Sequence, residues 1–158
     1  VARRLDSDFI NLGFSGAAKA EPAILDYICG LDMSVFVYDY DHNAPDAEYL
    51  ANTHFDGYQR FRSAQPDTPV IMASKVDYYA DIVSNEKRRE IILESYRRGL
   101  EAGDRHLYFV DGKTIYDPDY LNESTADGCH PNDAGYLAMA KTIGETVKKA
   151  MSESKHSL

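Results

Sequence analysis

Tryptophan is absent from this chain of 158 residues, and cysteine occurs only twice, at Cys29 and Cys129. Two cysteines cannot build the disulfide framework that holds small secreted scaffolds together, so stability has to come from an apolar core. Basic residues are scarce: 17 Lys and Arg stand against 26 Asp and Glu, a formal net charge of -9. A surface of that sign repels phosphate, which excludes nucleic acid and an anionic membrane as partners. No apolar run approaches the roughly 20 residues that a membrane-spanning helix needs. Internal repeats and low-complexity segments are also missing. The chain begins Val1-Ala-Arg-Arg-Leu, with neither an initiator methionine nor a signal-peptide pattern. It reads either as a processed or cut chain or as one whose upstream part was never made.

What is present is ordinary for a globular domain. Apolar residues make up 44% and charged residues 27% of the chain, and the length fits a single domain over residues 1–158. Short apolar runs alternate with longer amphipathic stretches. Phe9–Gly13, Ser34–Tyr38, Val70–Ala73 and His106–Val110 read as strands. Helices are expected over Pro22–Ile28, Asp46–Ala64, Asn85–Ala102 and from Asn132 or Asp133 to Met151. Residues 111–131 read as a long polar loop, and Ser152–Leu158 as a polar tail. Alternating strands and helices imply an α/β sandwich around a mainly parallel sheet.

Ligands of open parallel sheets bind beyond the carboxyl ends of the strands. Three chemically loaded segments fall there: Asn11-Leu-Gly-Phe-Ser-Gly16, Tyr38-Asp-Tyr-Asp-His-Asn43 and Asp127-Gly-Cys-His-Pro131. An Asp three residues before a His can seat its carboxylate on the imidazole Nδ1–H, leaving Nε2 as a general base. Asn43 can donate its amide to a developing oxyanion, or simply cap a turn. A glycine after a strand, such as Gly16, lets backbone approach a ligand. Asp39 and Asp41 alternate and are expected on one face, with His42 as a wall residue.

Taken together, the three segments resemble blocks II, III and V of the SGNH (GDSL-like) hydrolases. The strings Asn-Leu-Gly-Phe-Ser-Gly and Asp-Gly-Cys-His-Pro-Asn-Asp are closest to the carbohydrate acetyl esterase-like subgroup. Block III departs from the family, with Asp41-His42-Asn43-Ala44 in place of Gly-x-Asn-Asp. The resemblance implies a three-layer α/β/α, flavodoxin-like fold and a serine esterase acting on short acyl esters, acetyl on carbohydrate among them. It implies His130 as base, Asp127 as its orienter, and Gly16 and Asn43 as oxyanion donors. No metal or organic cofactor is implied. The family's nucleophile lies in a Gly-Asp-Ser or Gly-Thr-Ser string on the first strand, and neither string occurs in this sequence. The serine is therefore expected upstream of residue 1, and the fold is expected to lack its first strand. An N-terminal segment, a second chain or a rearranged sheet should fill the slot between Phe9–Gly13 and Ser34–Tyr38.

Other readings stand beside this one. Ser15 lies in Gly13-Phe-Ser-Gly-Ala17, nearly a G-x-S-x-G nucleophile elbow. Asp39 and Asp41 after an apolar strand are similar to the Asp-x-Asp of haloacid-dehalogenase-like phosphatases, which hold Mg²⁺. Lacking an in-chain serine motif, the fragment also fits a catalytically inactive hydrolase-like binding module. Tyr40, Tyr78 and Tyr79 fall near strand ends as candidates to line a sugar-sized site.

Overall fold

The structure, a computed structural model, describes residues 1–117, 119 and 121–154. Three strands, β1 (Phe36–Tyr38), β2 (Val70–Ala73) and β3 (Leu107–Val110), form a parallel sheet in the order β1-β2-β3. Phe36 stands opposite Val70, and Val70 opposite Leu107. Side chains alternate across the sheet, as strand geometry requires. Val70, Met72 and Leu107 face one core, built with α2 (Pro22–Cys29), α3 (Ala47–Ala64) and α4 (Ile82–Glu101). Ile71, Ala73 and Val110 face the other, built with α6 (Asp133–Ser154), while Leu5 of the short α1 (Ala2–Leu5) packs beside it. Helices on both faces make the three-layer sandwich expected from the sequence. Each fully buried core side chain, Leu50, Phe61, Ile71 and Ile92 among them, contributes on the order of 1.5–3 kcal/mol.

Local signals set the helix ends. Asp46 caps α3 by accepting from Tyr49 N–H at 2.7 Å, and Pro22 opens α2, where its missing N–H costs nothing. Helix α4 starts at Ile82 rather than Asn85, because Asp81 accepts from Ser84 N–H at 3.1 Å and nucleates the turn earlier. Helix α6 continues to Ser154, past the expected end at Met151. The rest of the expected polar tail, residues 155–158, lies outside the described residues. The expected loop over 111–131 contains a 3₁₀ turn, Gly112–Thr114, and a short helix, α5 (Leu121–Ser124).

The expected first strand does not form. Residues 9–13 are irregular, with Phe9 74% and Ile10 60% exposed. A strand needs a neighbour with which to exchange hydrogen bonds, and a five-residue segment with three large apolar side chains has no strand propensity strong enough to stand alone. Among the described residues β1 is consequently an edge. Its Phe36 N–H donates to Pro69 O at 2.9 Å, so the alternate residue Val37 turns its backbone groups to the open side.

Two buried polar features stand out in the layer of α3 and α4. Arg88 and Asp41, 6% and 1% exposed, pair through Nε and Oδ1 at 2.7 Å. His54, 1% exposed, packs against both Tyr38 and Tyr40, with ring centroids 4.8 and 5.7 Å away. Neither of its ring nitrogens has a hydrogen-bond partner among the described residues. Burial drives its pKa down to about 3, so it is folded in the neutral form.

Removing one partner of a buried ion pair strands the other charge. Arg88→Ala is expected to lower the unfolding free energy by about 3–5 kcal/mol, read from urea melts; a loss under about 1 kcal/mol would show that the pair is dispensable. His54 has a folded pKa below its unfolded value of 6.5. Its contribution is therefore present above pH 6.5 and is lost as pH falls towards 3, at no more than about 1.4 kcal/mol per pH unit. His54→Leu should flatten that slope in pH-dependent denaturant titrations.

Candidate functional site

The string from Thr125 to Gly135 folds on local chemistry. Thr125 and Pro131 form an isolated antiparallel bridge, closed by Ala126 N–H donating to His130 O at 2.8 Å. Gly128 turns the chain at φ +84°, a conformation that side-chain-bearing residues rarely adopt, and its N–H donates to Thr125 Oγ1 at 3.2 Å. Asn132 caps α6, its Oδ1 accepting from Ala134 N–H at 3.0 Å and Gly135 N–H at 3.1 Å. Its amide Nδ2 donates back to Glu123 O at 2.7 Å. At Gly135 a Cβ would collide with the backbone oxygen of Ser124, so only glycine lets α6 abut the end of α5.

Within this frame Asp127 Oδ1 accepts from the backbone N–H groups of His130, at 2.7 Å, and Cys129, at 3.1 Å. Its Oδ2 lies 2.7 Å from His130 Nδ1. The N–H of His130, then its ring, then the N–H of Cys129 hold the Asp127 carboxyl down at about 2. Both side chains are open to solvent, 78% for His130 and 54% for Asp127. With Nδ1 engaged, Nε2 is the nitrogen left to exchange a proton.

The turn after β1 is held by Arg88. Asp41–Asn43 form a 3₁₀ turn. Arg88 Nη2 donates to the backbone oxygens of Asp41 and of Ala44, the latter at 2.9 Å. Lys75 N–H, at the end of β2, donates to Asp41 Oδ2 at 2.9 Å. Asp41 thus lies inside, and its expected alternation with Asp39 ends where the chain leaves the strand at Tyr38. Asp39 stays exposed. Crowding, then the nearby Asp41, raises its carboxyl to about 7, and access to water tempers that push. With both oxygens of Asp41 committed, the Asp-x-Asp reading loses the second carboxylate it needs for Mg²⁺. Asn43 is half-buried, donates its backbone N–H to Tyr40 O at 2.9 Å, and keeps its side-chain amide unengaged among the described residues.

The turn and the Asp127–His130 loop meet. His42, next to Asn43, and Cys129, next to His130, bring their ligating atoms within 4.8 Å of each other and of Asp77. This juxtaposition of two strand ends with the loop before α6 is the candidate site. Crowding lowers the His42 pKa, opposed by Asp77, and crowding followed by Asp77 raises the Cys129 thiol. A thiol held protonated is no activated nucleophile.

Gly16, at φ +81°, ends an exposed 3₁₀ turn, Phe14–Gly16, and is not among the residues that join His42 to Cys129. Ser15 adopts φ 38° in that turn, and among the described residues the turn follows irregular chain rather than a strand, unlike the strand-turn-helix of a nucleophile elbow. Tyr40 is a core residue, 5% exposed, with its hydroxyl 2.8 Å from Thr53 Oγ1; its apolar neighbours claim the ring. Tyr78 is buried and bonds Glu86 and Lys113, while Tyr79 meets it edge-on and stays half-buried. Sequence reading missed Arg88 and Asp77. Arg88 had a legible signal: it shares the buried stripe of α4 with Asn85, Ile92, Ser95 and Gly99, and a lone charge on such a stripe calls for a buried partner.

The profile of the GDSL-like lipase/acylhydrolase family matches residues 1–148. No curated protein matches the sequence. Among solved structures, the chain is similar to a Bacteroides ovatus protein assigned to the GDSL-like lipases, with a TM-score of 0.79 and 27% identity over 92% of this chain and 44% of that one. It also shares the fold of SsfX3, a salicylyl-acyltransferase from a tetracycline biosynthetic pathway, with a TM-score of 0.75 and 18% identity over 90% of this chain and 45% of that one. The chain therefore spans less than half the length of either.

The hold on Asp127 is directly measurable. Its carboxyl carbon should titrate by NMR with a midpoint near 2; a midpoint at the ordinary 3.8 would show that the two N–H groups and the ring do not engage it in solution.

Proposed function

The chain belongs to the GDSL-like lipase/acylhydrolase family, and from that premise we propose that it carries the acid–base half of an acyl-ester hydrolase acting on short acyl esters. Deacetylation of carbohydrate is the substrate assignment, supported by the wording of Asn11–Gly16 and Asp127–Asp133. The observation that carries the reading is the 2.7 Å contact of His130 Nδ1 with Asp127 Oδ2 on an open loop.

The steps follow from that contact. Nε2 of His130 takes the proton of a serine hydroxyl as its oxygen adds to the ester carbonyl. Asp127, fixed by two backbone N–H groups, keeps the tautomer and stabilises the imidazolium. The tetrahedral oxyanion accepts from the Asn43 amide and the Gly16 N–H, donors that gain strength as charge develops. Collapse expels the alcohol, which takes the proton back from His130. A water then repeats the sequence on the acyl-enzyme, releasing the acid. The serine belongs to a strand upstream of Val1, and the open side of β1 is where that strand pairs. The same chemistry serves an acyltransferase if an acceptor alcohol replaces water. None of these steps calls on a metal or an organic cofactor.

The test uses the gene product with its upstream residues. It should hydrolyse nitrophenyl acetate, and His130→Ala should lower kcat by at least about 10³-fold. Asn43→Ala should lower kcat by about 10²–10³-fold with little change in KM. Full activity in His130→Ala would remove the assignment of the base.

A further inference from the structure

Three side chains that acyl transfer leaves unused converge beside it. His42 comes from the turn after β1, Asp77 from the segment after β2, and Cys129 from the loop before α6. Their ligating atoms all lie within 4.8 Å of one another. His42 Nε2 stands 3.5 Å from Asp77 Oδ1. Asp77 is 3% exposed, and its Oδ1 accepts no hydrogen bond among the described residues. A buried carboxylate oxygen without a donor is costly, and this one faces an imidazole at 3.5 Å.

We propose that His42, Asp77 and Cys129 form a binding site for a thiophilic divalent cation, Zn²⁺ foremost, with a fourth position open to water. Zinc binds nitrogen and carboxylate oxygen at about 2.0–2.2 Å and sulfur at about 2.3 Å, so ligands of a tetrahedral site stand roughly 3.5 Å apart. The His42–Asp77 pair already has that separation. Cys129 lies on an exposed loop and closes the remaining gap by a movement of roughly 1 Å. One imidazole, one carboxylate and one thiol make a borderline-soft set that suits zinc and disfavours Mg²⁺ and Ca²⁺, which take oxygen ligands. On binding, the thiol gives its proton to solvent and the sulfur coordinates as thiolate. The nearest opposing charge is Lys75, whose Nζ lies 3.5 Å from Asp77 Oδ2; it competes for the carboxylate and moderates affinity. Because none of the residues given a catalytic role ligates the ion, the site stands independently of the acyl-transfer reading.

The experiment titrates the reduced 158-residue chain with Co²⁺ as a spectroscopic probe and then displaces it with Zn²⁺. One equivalent of Co²⁺ should bind, with a near-ultraviolet thiolate-to-metal charge-transfer band that Zn²⁺ abolishes. Cys129→Ser, a change on an exposed loop, should remove the band and weaken Zn²⁺ binding at least tenfold. His42→Ala should weaken it as much, and Lys75→Met should tighten it several-fold. No thiolate band, or equal Zn²⁺ affinity in wild type, Cys129→Ser and His42→Ala, would overturn the proposal, because scattered surface carboxylates would then be holding the ion.

Discussion

One ion pair organises the edge of this protein that holds the candidate site. Asp41 receives Arg88 Nε on one carboxylate oxygen and the backbone N–H of Lys75 on the other. Arg88 also reaches the backbone oxygens of Asp41 and Ala44. Three elements are tied at one point: the turn after β1, the end of β2 and the middle of α4. Such a pair does not stabilise by attraction alone, because two charges have left water to form it. Its effect is to hold the turn in one conformation, with both Asp41 carboxylate oxygens and the backbone oxygens of Asp41 and Ala44 engaged. Asn43 and His42 inherit their positions from that turn.

The opposite wall of the site works on a different principle. Thr125–Gly135 is held by contacts almost wholly within itself: a two-residue bridge, a glycine turn, an Asn cap and a carboxylate that collects two N–H groups. These are short-range bonds that the residues' own types dictate. The loop consequently presents His130 to solvent with its orienting Asp127 already in place. Tertiary structure enters where Gly135 lets α6 close against Ser124 and where Cys129 meets His42 and Asp77. A loop bonded largely within itself thus faces a turn clamped from behind by Arg88.

Much of this was legible in the chain itself. The amphipathic periods located α2, α3, α4 and α6 within a few residues, since one helix face must be apolar wherever it packs on a sheet. The runs at 36–38, 70–73 and 107–110 are strands for the same reason. The run at 9–13 looks equally apolar and is no strand, because pairing is a property of two segments and a sequence window contains one. Asp39 and Asp41 illustrate the same limit. Their spacing suggested a shared face, yet one is exposed and the other is 1% exposed. Tyr40, by sequence a rim aromatic, spends its ring in the core against His54.

The residues alone determined what depends on neighbours in sequence: the helices and their caps, and the Asp127–His130 pair with its carboxylate held by adjacent N–H groups. Tertiary structure decided what depends on residues far apart in the chain. It chose Asp41 rather than Asp39 for burial, because Arg88 arrives from 47 positions away. It brought His42, Asp77 and Cys129 to one place, and among the described residues it left β1 at the edge of the sheet. Local hydrogen bonds need only the right residue types at short spacing, whereas a buried charge or a strand needs a partner that only the folded chain supplies.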